Sequence, residues 1–260
     1  MQITLAQIGS ATDVADNLAQ LTAAATAARS AGSQIVFLPE YTMYEKPVVD
    51  ATFAGVAEPL DGQFGSAVAA LAADLQVAIV AGVVEYNPND PGRPFNTIAV
   101  WDSDGRLAGR HRKALLYDVG TFSESAFITA GDIDEASVAT INGTVFGLQT
   151  CYELRFPEIS RRRMRAGATE LAVLSSWVPG RLKTEQWATL VRARAIENIC
   201  HVVAVTQAAP VSIGHSLAVA PDGDTLAELG TGPDQVCVEV DPRKTSDQRL
   251  ADPAMFSIRV

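Results

Sequence analysis

The chain alternates short apolar runs of strand length with helical stripes from end to end, and this alternation restricts it to an α/β fold. Residues 3–8 read as a strand. Val14, Leu18, Leu21, Ala25 and Ala28 then recur at helical spacing, with Asp13 placed to cap the helix. Residues 35–38 form a second strand, stopped by Pro39. Phe64, Val68, Leu71 and Leu75 give another helical stripe ahead of a strand at 77–84. Two buried-type strands with a helix between them make a βαβ unit.

Hairpins interrupt the pattern. Asp102-Ser103-Asp104-Gly105 joins strand-like runs at 95–101 and 106–110, and Asn142-Gly143 joins 136–141 to 144–149. Pro157 stands where a first helical turn begins and Gly167 where that helix ends. A strand at 170–174, a helix at 185–198, a strand at 201–205 and a hairpin at Pro221-Asp222-Gly223-Asp224 follow. Crossovers and hairpins together predict mixed sheets. With no linker and no internal repeat, residues 1–260 read as one domain. The stretch 241–260 reads as a polar, irregular tail suited to packing on a partner subunit.

With 48% hydrophobic and 19% charged residues there is ample apolar material for a core. A formal charge of −10 argues against a general nucleic-acid binder, because phosphates repel an acidic surface. No apolar run approaches the roughly 20 residues that span a bilayer. The opening residues lack the basic stretch and long apolar run of a secretory signal. Cys151, Cys200 and Cys237 are odd in number and far apart, so they read as free thiols, with Cys200 and Cys237 in apolar strand contexts within the core. Neither they nor His111, His201 and His215 are spaced as a metal site. The expectation is a soluble cytoplasmic protein without metal or organic cofactor, and without nucleic-acid or membrane partners.

Cys151 directly follows an apolar strand and precedes the helix opened by Pro157. A residue there sits on a sharp turn with its side chain exposed, and nearby backbone N–H groups favour the thiolate. The same position also suits a buried structural cysteine. Glu40 follows the strand that Pro39 stops, and Lys113 follows the run 106–110. Singly, these read as a turn carboxylate and a surface lysine. Jointly, they place a thiol, a proton acceptor and a fixed cation at carboxyl ends of strands, where α/β sheets gather their sites.

Leu38-Pro39-Glu40-Tyr41, His111-Arg112-Lys113 and Cys151-Tyr152-Glu153-Leu154-Arg155-Phe156-Pro157-Glu158 resemble the signature of the nitrilase superfamily, the carbon–nitrogen hydrolases. The likeness continues through Arg192-Ala193-Arg194-Ala195-Ile196-Glu197-Asn198 and Gly214-His215-Ser216. It implies a four-layer αββα sandwich, usually paired into a homodimer, and a Glu–Lys–Cys triad on Glu40, Lys113 and Cys151. Phe122-Ser123-Glu124-Ser125 matches an element of the omega-amidase and deaminated-glutathione-amidase branch, which implies that Glu124 holds Lys113. The implied activity is hydrolysis of a small amide, in this branch often one that also carries a carboxylate, to an acid and ammonia through a cysteine thioester. Glu40 moves the protons in that scheme, while Lys113 and the Tyr152 N–H meet the oxyanion.

Residues 41–46 and 180–187 depart from the family's usual forms, and both border the expected substrate. Tyr41, Tyr152, Trp177 and Arg181 are the candidate substrate contacts, with Trp177 as an apolar wall and Arg181 as the partner of a substrate carboxylate. An N-carbamoylamine hydrolase would use the same triad. A nitrilase proper fits less well, since Cys-Tyr-Glu stands where those enzymes usually carry Cys-Trp-Glu. A non-catalytic interaction module or a redox sensor would leave the triad unexplained.

Overall fold

The computed structural model describes residues 1–252. Its elements follow in the order β1 (Gln2–Gln7), α1 (Val14–Ser30), β2 (Ile35–Phe37), α2 (Thr52–Val56), α3 (Gln63–Leu75), β3 (Ala78–Glu85), β4 (Phe95–Trp101) and β5 (Leu107–Arg112). A second half comprises β6 (Val138–Ile141), β7 (Thr144–Thr150), α4 (Pro157–Arg165), β8 (Glu170–Ser175), α5 (Lys183–Asn198), β9 (Val202–Thr206), β10 (Leu217–Val219) and β11 (Thr225–Glu228). The strand β12 (Asp234–Glu239) and the helix α6 (Pro242–Ala251) close the described chain.

The strands form two six-stranded sheets, ordered β12-β1-β2-β3-β4-β5 and β11-β10-β9-β8-β7-β6. Each is mixed. A parallel trio, β1-β2-β3 or β7-β8-β9, is flanked by antiparallel neighbours. The two-residue periodicity of a strand explains the layering. In β2, Ile35 and Phe37 face the other sheet, while Val36 joins the cluster beneath α1 and α3. Phe37 meets Phe146 across the gap, with ring centroids 5.4 Å apart. Met164 of α4 and Trp187 and Val191 of α5 cover the outer face of the second sheet. The four layers are therefore helices, sheet, sheet, helices. Sheets covered on both faces need strands that are apolar throughout, and β3 is buried at every position.

Local signals act as the sequence predicts. Asp13 accepts the N–H groups of Ala15 and Asp16 at the start of α1. Asn142 and Gly143 both adopt positive φ, 50° and 80°, as a two-residue hairpin requires. The short helix α2 was not expected.

Three expectations need correction. The stretch after Asp241 is not irregular: Asp241 caps α6, accepting the Arg243 N–H at 3.1 Å, and Pro242 opens its first turn. This helix packs on its own chain, where Arg249 donates to the carbonyls of Ile199, Thr169 and Asn198. Residues 253–260 of the expected tail lie outside the described residues. Cys237 is only half-buried, because β12 is the edge strand of its sheet. Cys200 is buried, but in the turn between α5 and β9 rather than in a strand. Among the described residues, no helix is long and apolar enough to cross a membrane.

Candidate active site

The carboxyl ends of β2 and β5 in one sheet and of β7 and β8 in the other open on the same edge, and the chain leaving each brings one polar group to a shared pocket. Glu40 lies just past β2, in a loop that crosses β3 at Gly82. A Cβ on Gly82 would fall 2.4 Å from the Tyr41 nitrogen and 2.7 Å from the Glu40 Cα, so only glycine allows this approach. Glu40 is 1% exposed. Its Oε1 accepts from Lys113 Nζ at 3.0 Å and Asn96 Nδ2 at 2.7 Å, and its Oε2 accepts the Ser176 N–H at 2.6 Å. The last bond joins the two sheets. Gln207 adds a second link, donating to the Glu40 carbonyl at 3.0 Å.

Lys113 follows β5 and donates its N–H to Asn96 O at 2.8 Å. Its ammonium sits between two carboxylates, 3.0 Å from Glu40 and 2.8 Å from Glu124. Burial opposes that charge, but Glu124 and Glu40 outweigh it and hold the Lys113 ammonium well above the ordinary lysine range. Glu124 is itself held by the Tyr41 hydroxyl at 2.9 Å and the Tyr117 N–H at 2.7 Å.

Cys151 ends the run from β7 and starts a tight helical turn, Cys151–Arg155, with φ at 46°. A non-glycine residue in the left-handed region marks a strained strand-to-turn corner. Its Sγ lies 3.8 Å from the Ser176 carbonyl. Two expectations fail here. The side chain is 8% exposed rather than freely exposed, and the thiolate is not favoured. Burial first, then the charge of Glu40, push the thiol well above its ordinary value, and Lys113 offsets them only in part. The resting group is a thiol.

Beneath this cluster Glu153 braces the loop. It accepts from His111 Nε2 at 2.7 Å and from the N–H groups of Thr150 and Ala114, each at 2.8 Å. Burial would raise its carboxyl; the charge and hydrogen bond of His111 and the two N–H groups lower it to about 2.

The pocket wall brings together Glu40, Tyr41, Lys113, Glu124, Cys151, Tyr152 and Trp177, seven of the eight residues expected from sequence. Trp177 is buried and donates Nε1–H to the Lys183 carbonyl at 3.0 Å. Arg181 does not line the pocket and is exposed. The reason is where α5 begins. Leu182 turns left-handed at φ 61°, and the Lys183 N–H closes onto Gly180 O at 3.2 Å. That turn brings Lys183, not Arg181, to the wall. Lys183 Nζ lies 5.5 Å from the Tyr117 ring centre and 5.6 Å from that of Trp177, and Arg155 stacks on Trp177 at 5.0 Å. Neither cation pairs with a carboxylate among the described residues.

Sequence reasoning also missed Asn96, Glu45, Arg155, Lys183 and Ser176. For Asn96 a signal existed: an amide inside the otherwise apolar run of β4.

Residues 2–249 match the family model described as carbon-nitrogen hydrolase. A hydrolase of Mycobacterium tuberculosis is 35% identical over 257 residues, covering 93% of this chain and 89% of that protein. The deaminated glutathione amidase of Escherichia coli O157:H7 is 34% identical over 172 residues, 66% of this chain and 65% of the amidase. The crystal structure of Saccharomyces cerevisiae Nit3, a member of branch 10 of the nitrilase superfamily, superimposes with a TM-score of 0.87 at 25% identity, covering 100% of this chain and 97% of its own.

Proposed function

Because this chain belongs to the carbon–nitrogen hydrolase family of the nitrilase superfamily, we propose that it is an amidase that cleaves a small carboxylated amide through a thioester on Cys151. One observation carries the reading: Lys113 Nζ is held within 3.0 Å of both Glu40 and Glu124 in the pocket that Cys151 lines.

A thiol that stays protonated needs a base at the moment of attack. Glu40 takes the Cys151 proton as sulfur bonds to the amide carbon. The oxyanion that forms meets the Lys113 ammonium and the Tyr152 N–H, which lies in the first turn of a helical segment where N–H groups lack intrahelical partners. One such donor contributes about 3 to 4 kcal/mol to the transition state. Glu40 returns its proton to the departing nitrogen, ammonia leaves, and the acyl group stays on sulfur. Glu40 then takes a proton from water as the oxygen adds to the thioester. Collapse of that second intermediate releases the carboxylic acid, and the proton on Glu40 returns to the sulfur. Glu124 and Asn96 hold Lys113 and Glu40 in place throughout.

Lys183 and Arg155 supply the positive charge for a substrate carboxylate, since neither is neutralised by a carboxylate among the described residues. The test is ammonia release from succinamate, butyramide and N-carbamoyl-β-alanine. The proposal expects succinamate to give the highest kcat/KM. Faster turnover of the carbamoyl compound would replace the amidase reading, and equal rates on succinamate and butyramide would remove the carboxylate from it.

A further inference from the structure

Glu45 stands in the wall of the same pocket, and no step above uses it. Its backbone is pinned, with the N–H donated to Ala11 O at 3.0 Å. The residue is 3% exposed. Its Oε1 accepts the Lys46 N–H at 3.0 Å, whereas its Oε2 is buried without a hydrogen-bond partner among the described residues. Leaving a buried polar group unpaired is costly, so an unpaired oxygen in a pocket wall points to a ligand.

We propose that Glu45 acts as a neutral carboxylic acid whose Oε2 hydroxyl donates a hydrogen bond to an oxygen on the acyl chain of the substrate. It is then a specificity-determining residue for amides that carry a carboxylate, carbonyl or hydroxyl oxygen at that point. The inference rests on the amidase reading and adds a residue to it.

The charges around Glu45 favour the neutral form. Glu40 is an anion of the same pocket, and Lys113 is already shared between Glu40 and Glu124. The Lys46 ammonium turns away to pair with Asp50. The Cys151 thiol is uncharged. Arg155 and Lys183 are held at the rings of Trp177 and Tyr117. Burial and then the charge of Glu40 push the Glu45 carboxyl well above the usual carboxylate range, against the Ser176 side chain, the Lys46 N–H and Lys113, which pull it down. With Oε1 occupied as an acceptor, the proton belongs on Oε2. Oε2 makes no well-formed hydrogen bond within the described residues, with the Ser176 side chain beside the carboxyl, and a substrate carboxylate oxygen is the strongest acceptor it could meet.

The experiment compares wild type, Glu45→Gln and Glu45→Leu on succinamate and butyramide across about pH 6 to about pH 10, reading kcat and KM separately. Glutamine keeps an acceptor for Lys46 and a donor for substrate but cannot ionise. It should match wild type to within about threefold near neutrality, and should lose the rise in KM that wild type shows as Glu45 ionises at high pH. Leucine should raise KM for succinamate by about tenfold or more, leaving kcat and butyramide within about twofold. A glutamine variant as poor as leucine would overturn the proposal in favour of charge or proton delivery. A leucine variant unchanged on both substrates, or impaired equally on both, would overturn it as well. Protection of Cys151 from iodoacetamide by succinate reads the same contact without turnover. Leucine should weaken that protection about tenfold and glutamine should not. Protection that follows this order in a protein that hydrolyses no amide sinks the amidase reading alone. Turnover without the order sinks the role of Glu45 alone, and absence of both sinks both.

Discussion

Lys113 and His111 lie two residues apart at the end of one strand, and Cys151 and Glu153 two residues apart after another, yet the two pairs have opposite surroundings. His111 and Glu153 are both 0% exposed and their polar atoms are occupied: Glu153 by four donors, and His111 Nδ1 by Ser137 Oγ at 2.9 Å. Lys113 and Cys151 face the pocket instead, where Cys151 holds only a 3.8 Å contact with a carbonyl. The inner pair fixes the two loops to each other and has no valence left for chemistry. In the outer pair Lys113 is held by Glu40 and Glu124 at the pocket wall, and the Cys151 sulfur is left without a strong partner. Strand alternation would put residues two apart on one face, so the sorting happens where the chain leaves the strand: Lys113 lies past the end of β5, and Cys151 and Glu153 sit in the helical turn Cys151–Arg155.

Substitutions can break this comparison. Cys151→Ala removes the proposed nucleophile from the outer pair, and turnover should fall by at least about 10⁴-fold while the melting temperature barely moves; substantial residual activity would remove Cys151 from the role. Glu40→Gln should cost nearly as much turnover. It should also make the thiol easier to alkylate, because the Glu40 charge helps to push the thiol up. An iodoacetamide rate profile that fails to move to lower pH would mean that Glu40 does not set the state of the sulfur. Lys113→Arg keeps the charge but not the shape of the head group, and kcat should drop by about 10² to 10³-fold.

Glu153→Gln should behave differently, acting on stability first. Removing one partner of a buried pair costs about 3 to 5 kcal/mol, read by denaturant unfolding. The pH dependence has a definite sign. The folded carboxyl, at about 2, lies below its unfolded value, so its stabilisation is complete above the ordinary carboxylate range. It is lost as pH falls from about 4.3 towards about 2. The glutamine variant should lose that part of the acid sensitivity; an unchanged acid limb would mean that Glu153 is not what titrates. The smallest effects belong to the rim. Arg155→Ala should raise KM for succinamate about tenfold, and Arg181→Ala should leave it unchanged. The reverse order would restore Arg181 as the carboxylate partner.

Glu40, Lys113 and Cys151 were legible because each follows a strand-like run by two or three residues, and a strand end is visible in sequence. Glu124 was legible only through a family motif, since its partners Tyr41 and Tyr117 reach it through tertiary folding. Asn96 was hidden by its strand, where pattern reading assigns every residue to the ladder. Arg181 was named and Lys183 was missed because the left-handed Leu182, which decides where α5 begins, leaves no mark in composition. Cys151 was expected as a thiolate because local N–H groups were visible and burial was not. Cys237 was assigned to the core because an apolar strand looks the same at an edge as at a centre. The helix after Asp241 did carry its signal, a capping acid followed by proline, which the polar character of the segment obscured.

The central claim is that turnover passes through an acyl group on Cys151. Rapid acid quench during turnover of succinamate, followed by mass analysis of the Cys151 peptide, tests it directly. The account predicts a succinyl adduct on that cysteine, absent from Cys151→Ala, and a hydroxamate product when hydroxylamine is added. Ammonia released at full rate while the Cys151 peptide stays unacylated and hydroxylamine yields no hydroxamate would contradict it.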